Sequence, residues 1–167
     1  MFRVPFVPTP EPVVMRMLSL ADTKPGQLVY DLGAGDGRVL TLAVRNFGAV
    51  AIGVELDESR CRIINEHIKA EKIEGSASVI HEDFFNVDLS KADVVTLYLL
   101  KSVNAQMRPK LEHELKYGAR VVSHDFPIEG WYPMQIDEVK TEYKTHELYL
   151  YEFPRSRRIG SHIENSL

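Results

Sequence analysis

Residues 31–37, DLGAGDG, place glycine at three alternate positions directly after a short apolar run. Glycine inside an element costs roughly 0.5–1 kcal/mol relative to alanine, so Gly33, Gly35 and Gly37 indicate a turn that another group approaches closely. A glycine-rich turn between a strand and a helix exposes backbone N–H groups and the positive end of the helix dipole. This arrangement favours an anionic or carboxylate-bearing ligand, although a purely structural tight turn has the same composition.

Three acidic residues lie at the ends of three successive predicted strands. Asp31 precedes the glycines, Glu55 ends the second strand and Asp83 follows the third. Glu55 is positioned to accept two hydrogen bonds from a ribose diol. Asp83 is positioned to accept one from an exocyclic amine such as adenine N6, with Phe84 against the base. Each residue alone has a simpler interpretation, as a solvated glutamate or a turn aspartate. Together they predict a nucleotide-type ligand, but G-x-G-x-G departs from the dinucleotide spacing G-x-G-x-x-G.

The elements that position these residues alternate between strand and helix. Apolar runs predict buried strands at 28–32, 50–54 and 92–100, and shorter strands are predicted at 77–81 and 120–124. Helical periodicity predicts helices over 10–22, 39–47, 58–71 and 103–115. Thr9 and Asp57 are the predicted caps of the first and third helices. Alternating residues over 136–144 and 146–153 predict an antiparallel hairpin. The predicted fold is therefore α/β, a doubly wound, mostly parallel seven-stranded sheet that binds ligands at the carboxyl ends of its strands.

Composition narrows the class of protein. The chain has 167 residues, 44% hydrophobic and 26% charged, as in a soluble globular protein. A net charge of −4 argues against stable nucleic-acid binding. The single cysteine, Cys61, excludes an internal disulfide, and the scattered histidines predict no metal site. With no signal peptide or long apolar run, we expect a cytoplasmic monomer without a membrane partner. We expect one domain over 1–153 and a mobile tail over 154–167.

Several segments together resemble a known family. YDLGAGDGRV, GVELD, HEDFF and the terminal hairpin resemble class I S-adenosylmethionine-dependent methyltransferases over about residues 5–153. VPFVPTPEPVV, VVTLYLL, RPKLEHELKYGARVVSHDFPIEGW and LYLYEF resemble the small archaeal protein-lysine methyltransferases, which are similar to mitochondrial lysine methyltransferases. The resemblance implies S-adenosyl-L-methionine as cofactor, lysine side chains of proteins as acceptors and a Rossmann-like methyltransferase fold. The alternatives are a small-molecule or RNA methyltransferase and a non-catalytic regulatory protein that binds the cofactor.

The resemblance also implies roles for individual positions. Asp31 and the glycine-loop backbone would hold the methionine end of the cofactor, Glu55 the ribose hydroxyls, and Asp83 with Phe84 the adenine. Thr9, in the proline-rich N-terminal segment, would close over the methionine portion. The implied cofactor-binding residues are Thr9, Asp31, Gly33, Ala34, Gly35, Asp36, Gly37, Glu55, Leu56, Asp83 and Phe84. Phe6 stands where many relatives have tyrosine, so any role of that hydroxyl is absent here.

The acceptor side is predicted at the ends of the fourth and fifth strands. Methyl transfer from a sulfonium needs in-line alignment, exclusion of water and a neutral amine. Tyr98 occupies the place that faces the methyl group in this fold, and Tyr98-Leu99-Leu100 lacks the N-P-P-Y motif of enzymes that methylate nucleobase amines. Tyr98, Asp125 and His124 are the predicted catalytic residues, with a core tyrosine and a strand-end turn as the alternatives. Trp131 is predicted to pack in the core, with a wall of the acceptor channel as the alternative.

Overall fold

The computed structural model describes residues 5–157. The helices of this part are α1 (Glu11–Leu20), α2 (Arg38–Phe47), α3 (Glu58–Ala70) and α4 (Lys101–Glu114). Its strands are β1 (Leu28–Leu32), β2 (Val50–Glu55), β3 (Ala77–His81), β4 (Val94–Leu97), β5 (Arg120–His124), β6 (Gln135–Lys140) and β7 (Thr145–Glu152). A 3-10 turn, Phe84–Asn86, follows β3.

The strands form one seven-stranded sheet in the order β3-β2-β1-β4-β5-β7-β6. The first five in that order are parallel, and β7 runs antiparallel to both β5 and β6. Leu32 at the end of β1 pairs with Val54 of β2 and with Leu97 of β4. The carboxyl ends of these three central strands therefore lie side by side, and the predicted fold class is confirmed.

Helices cover both faces of the sheet because their apolar stripes need burial. On one face Leu18 of α1, Leu40 of α2 and Ile64 of α3 are completely buried in one cluster. On the other face Met107 and Leu111 of α4 are buried with the β4 side chains. Burying each such side chain stabilises the fold by roughly 1.5–3 kcal/mol, so the two layers fix the strand ends in place.

Two local predictions are wrong. Thr9 does not cap α1: Pro10 occupies the cap position, no side chain caps this end, and the Thr9 hydroxyl is hydrogen-bonded to His124. The fourth strand covers Val94–Leu97 and not 92–100. Its ladder ends where its neighbours end, at Leu32 and Ser123, so the apolar run continues beyond the last paired residue.

Other local predictions are confirmed. The Asp57 side chain accepts a hydrogen bond from the Arg60 N–H and caps α3. Trp131 is buried, donates to Glu112 at 2.7 Å and packs edge-on against Tyr151, so it is a core residue. None of the helices within residues 5–157 is long and apolar enough to cross a membrane.

The chain immediately after β7 packs against the fold. The Ser156 carbonyl accepts from the Tyr132 N–H at 2.7 Å, and its hydroxyl accepts from the Glu152 N–H at 3.0 Å. The remainder of the predicted mobile tail, with Arg158 and His162, lies outside the described residues. Its mobility stays a prediction.

Candidate active site

The glycine loop follows β1 and is tied to the end of β2. The N–H groups of Gly33 and Ala34 donate to the Val54 carbonyl at 2.8 and 3.0 Å. The Gly35 N–H donates to Glu55 Oε2 at 2.9 Å. The expectation that these N–H groups are exposed to a ligand is therefore wrong, because the Val54 carbonyl and the Glu55 carboxylate at the end of β2 already accept their hydrogen bonds.

What approaches the bare backbone is a side chain of the same protein. Gly35 has φ +61°, and a Cβ built there would overlap the ring of Phe6. The guanidinium of Arg60 lies 4.7 Å above the centroid of the same ring, within cation–π distance. The proline-rich N-terminal segment is thus held across the glycine loop, between the loop and the first turn of α3.

Beneath this segment lies a cavity of about 580 Å³ at the carboxyl ends of the central strands. Small-molecule sites range from about 300 to 1,000 Å³. Of the predicted site residues, those that line it are Thr9, Asp31, Gly33, Ala34, Gly35, Asp36, Glu55, Leu56, Phe84 and Tyr98. Gly37, Asp83, His124 and Asp125 are not among the lining residues.

Asp31 is a buried carboxyl group in the cavity wall. Its Oδ1 accepts a hydrogen bond from the Thr96 hydroxyl at 2.7 Å. Burial raises the pKa of Asp31 to about 7, against the effect of the Thr96 hydrogen bond, and the charges of Glu55 and Asp36 raise it further. A cation bound beside this carboxyl would favour its ionised form.

Glu55 ends β2 with its carboxylate inside the wall. Oε2 accepts from Gly35 and Oε1 accepts from the Asp57 N–H at 3.0 Å, so the side chain links the glycine loop to the start of α3. Arg60 is 3.9 Å from Oε1. A carboxylate offers about four acceptor positions, so these contacts leave capacity for hydroxyl donors of a ligand.

Of the two residues predicted to bind the adenine, Asp83 and Phe84, only Phe84 lines the cavity. The Asp83 carboxylate accepts from the Phe85 N–H at 2.9 Å and caps the 3-10 turn. Phe84, the first residue of that turn, lines the cavity.

The predicted acceptor residues meet beside the cavity. The Tyr98 and His124 rings have centroids 3.8 Å apart, and the Tyr98 hydroxyl is 3.4 Å from Asp125 Oδ2. The same carboxylate oxygen accepts from the ammonium of Lys144 at 2.5 Å. Burial alone would raise the pKa of Asp125, but the Lys144 hydrogen bond and charge, His124 and the Glu147 N–H together outweigh it, and the pKa is lowered.

Sequence reasoning missed three neighbours of this cluster. Lys144, His146 and Thr141 belong to the hairpin, and β7 brings His146 within 2.7 Å of His124. Tertiary pairing creates this cluster, and no local motif signals it.

The comparisons with known proteins agree on the fold and the family. The family model for the ANTKMT methyltransferase domain matches residues 31–135. A protein-lysine N-methyltransferase of Saccharolobus islandicus is 47% identical over 89% of this chain and 92% of its own length. The adenine nucleotide translocase lysine N-methyltransferase of Mus musculus is 34% identical over 80% of this chain, which spans 58% of that protein.

A solved structure is also similar. An RNA methyltransferase from Salinibacter ruber in complex with S-adenosyl-L-homocysteine has a TM-score of 0.84 and 39% identity. The match covers 95% of this chain and 100% of that one.

The fold and the cavity define an S-adenosylmethionine-dependent methyltransferase. The chain belongs to the ANTKMT methyltransferase family. The cavity fits the cofactor, which carries an amino-acid end, a ribose diol and an adenine. The buried Asp31 carboxyl, the Glu55 carboxylate and the Phe84 ring offer matching chemistry.

Proposed function

We propose that this protein transfers the methyl group of S-adenosylmethionine to lysine side chains of proteins. The observation that carries the proposal is the 47% identity to the Saccharolobus protein-lysine N-methyltransferase over 92% of that enzyme. The contact between Lys144 and Asp125 beside Tyr98 supports it, because it is a lysine ammonium held next to the cavity.

The lining of the cavity supports the cofactor roles of Asp31, Glu55, Phe84 and Thr9. Asp31 binds the ammonium of the methionine end, Glu55 accepts from the ribose hydroxyls, and Phe84 lies against the adenine. Asp83 binds the adenine from outside the lining of the cavity, and Thr9 covers the methionine portion. When bound, the cofactor supplies an electrophilic methyl group on a sulfonium, and the chain's task is to orient the amine and exclude water.

The acceptor amine must lose a proton before it reacts. Deprotonating lysine at pH 7 costs roughly 4–5 kcal/mol from its reference pKa of about 10.4. A carboxylate at the reacting atom would raise that pKa, whereas a desolvated aromatic wall lowers it. Asp125 therefore acts as the docking group outside the cavity, where the incoming ammonium displaces that of Lys144 from Oδ2, and Tyr98 forms the wall beside the reacting amine.

RNA is the second candidate acceptor, because the Salinibacter relative is described as an RNA methyltransferase. Two observations weigh against it for this chain. The net charge is −4, and the arginines at the cavity already contact acidic side chains, Arg38 with Asp36 at 2.6 Å and Arg60 with Glu55 at 3.9 Å. Phosphate binding needs cations that are free to release counterions.

One labelling experiment tests both candidates. The enzyme is incubated with methyl-labelled cofactor and, in parallel, a lysine-rich protein, total RNA and a metabolite extract. We expect label in the protein, at lysine Nζ by mass spectrometry after digestion. Label confined to RNA or metabolites would refute the proposal, and cofactor binding without any transfer would indicate a regulatory protein. A monomeric state and a cytoplasmic location stay predictions.

A further inference from the structure

Four side chains connect the cavity wall to the turn of the β6–β7 hairpin. Thr9 Oγ1 is 3.2 Å from His124 Nδ1, and His124 Nε2 is 2.7 Å from His146 Nδ1. His146 Nε2 is 3.2 Å from Thr141 Oγ1, and the Thr141 hydroxyl donates to the Lys144 carbonyl at 3.0 Å. Thr9, His124 and His146 are buried, so this chain of hydrogen bonds runs through the protein interior.

The direction of every bond follows from its outer end. A backbone carbonyl only accepts, so the single Thr141 hydrogen is directed to the Lys144 carbonyl and Thr141 Oγ1 accepts from His146 Nε2–H. A neutral imidazole protonated at Nε2 accepts at Nδ1, so His124 Nε2–H donates to His146. His124 Nδ1 then accepts, and the donor is the Thr9 hydroxyl.

Both imidazoles are neutral in this arrangement. Burial lowers the pKa of His124 to about 4, and burial also lowers the pKa of His146. The charged groups that face the pair are Asp125, whose Oδ2 is 3.5 Å from His124 Nε2, and Lys144, which occupies that same oxygen. The uncharged Tyr98 ring covers His124.

We propose that the hairpin, through His146 and Thr141, fixes the Thr9 hydroxyl as a hydrogen-bond acceptor toward the cavity. In this state Thr9 selects the ammonium of the cofactor's amino-acid end over its carboxylate. An ammonium only donates and a carboxylate only accepts, whereas a freely rotating hydroxyl would serve either. Arg38 holds the Thr9 backbone carbonyl at 3.0 Å, so the residue itself is fixed. His146 and Thr141 are positioning residues, since they act through His124. The inference rests on the cofactor roles proposed above.

The same side chains do not have the spacing of a metal site. Ligand atoms of His124, Asp125 and His146 lie within 4.8 Å of one another. Two ligands about 2.0–2.1 Å from a tetrahedral zinc ion are roughly 3.3 Å apart, whereas the two ring nitrogens are 2.7 Å apart, a hydrogen-bond distance. The Lys144 ammonium also occupies the Asp125 oxygen that an ion would need.

The test compares two ligands and two threonines. Thr141→Val removes the outer acceptor, and Thr145→Val makes the same change at an exposed position of β7. Calorimetry measures affinity for S-adenosylhomocysteine and for methylthioadenosine, which lacks the amino-acid end. For Thr141→Val we expect a roughly three- to tenfold loss for S-adenosylhomocysteine alone. We expect no change for Thr145→Val and wild-type affinity for Thr141→Ser. An unchanged Thr141→Val, or an equal loss for both ligands, would overturn the inference.

A measurement on the unaltered protein does not depend on the folding of Thr141→Val. Nitrogen-15 shifts of the imidazoles, assigned with His124→Gln and His146→Gln, report which nitrogen carries the proton. We expect both rings to be neutral with the proton on Nε2 at pH 7. A proton on Nδ1 of either ring would overturn the proposed direction. A shift of these signals on adding a chelator would identify a metal site in its place. The hydrogen-bond direction and the cofactor roles are tested separately. If both rings carry the proton on Nε2 but affinity falls equally for both ligands, the cofactor roles are refuted and the hydrogen-bond direction stands.

Discussion

The buried carboxyl of Asp31 makes cofactor binding depend on pH. Burial raises the pKa of Asp31 to about 7 in the ligand-free protein. The proposed role requires the ionised form, since only that form attracts an ammonium. At pH 5.5 only ~3% of such a group is ionised, against about half at pH 7. Affinity for S-adenosylhomocysteine should therefore fall about 16-fold between pH 7 and pH 5.5.

The raised pKa of Asp31 also makes the stability of the ligand-free fold depend on pH, but here stability falls as pH rises. Because the folded pKa of Asp31 lies above its ordinary value of 3.8, this group's contribution is fully present below about pH 3.8 and is lost as pH rises through about 7. Asp31→Asn should therefore stabilise the ligand-free protein at pH 8, by up to about 4 kcal/mol for a shift of roughly three pKa units. It should at the same time weaken cofactor binding, which separates this result from ordinary core damage.

Calorimetry across this pH range tests the reasoning. Titrations in buffers of different ionisation enthalpy should reveal proton release on binding near pH 6–7, and Asp31→Asn should bind weakly without a pH slope. Asp88→Asn, an exposed control, should keep the wild-type slope. Wild-type affinity that is constant between pH 5.5 and 7 would refute the assignment of Asp31 to the ammonium.

Four further substitutions examine the cavity and the acceptor side. Glu55→Gln should weaken S-adenosylhomocysteine binding by about 1.5–3 kcal/mol and lower the melting temperature, because it removes one acceptor for the Gly35 or Asp57 N–H; unchanged calorimetric affinity would contradict the ribose role. Gly35→Ala should displace the Phe6 ring and weaken binding, and adding Phe6→Ala should recover part of the loss; no recovery would assign the effect to the positive φ alone. Tyr98→Phe should lower the methylation rate with cofactor affinity unchanged, and Asp125→Asn should raise the KM for protein and shift the pH–rate profile. Lower melting temperatures with normal turnover would make both residues structural.

Much of the sheet was predictable because burial dictates its sequence. β1, β3 and β5 match the predicted bounds. β1 and β5 are short, mostly buried runs, whereas β3 lies at the edge of the sheet and is only partly buried. The same signal overextends at β4, where the apolar run continues into Tyr98–Leu100 after the ladder has ended. Apolar sequence indicates burial, and here the chain stays partly or fully buried for three residues after strand pairing has ended.

Most residues predicted to bind the cofactor line the cavity, but their contacts were predicted less well. Strand-end position alone places Asp31 and Glu55 at one edge of a parallel sheet. That the loop N–H groups bond to Val54 and Glu55 depends on the pairing of β1 with β2, and that Phe6 covers Gly35 depends on how the N-terminal segment folds back. Such contacts join residues distant in sequence, and no local pattern encodes them.

The acceptor side depends still more on tertiary structure, as the backbone of Asp125 shows. Asp125 has φ +62°, in the left-handed region that costs an ordinary residue roughly 1–2 kcal/mol. The conformation is held from β7: the Asp125 N–H donates to the Glu147 carbonyl at 2.7 Å, and the Glu147 N–H donates to Asp125 Oδ1 at 3.1 Å. This pairing directs Oδ2 toward Tyr98 and Lys144. The hairpin therefore orients two groups near the cavity. It orients the Asp125 carboxylate through the backbone of that residue, and the Thr9 hydroxyl through His146 and His124.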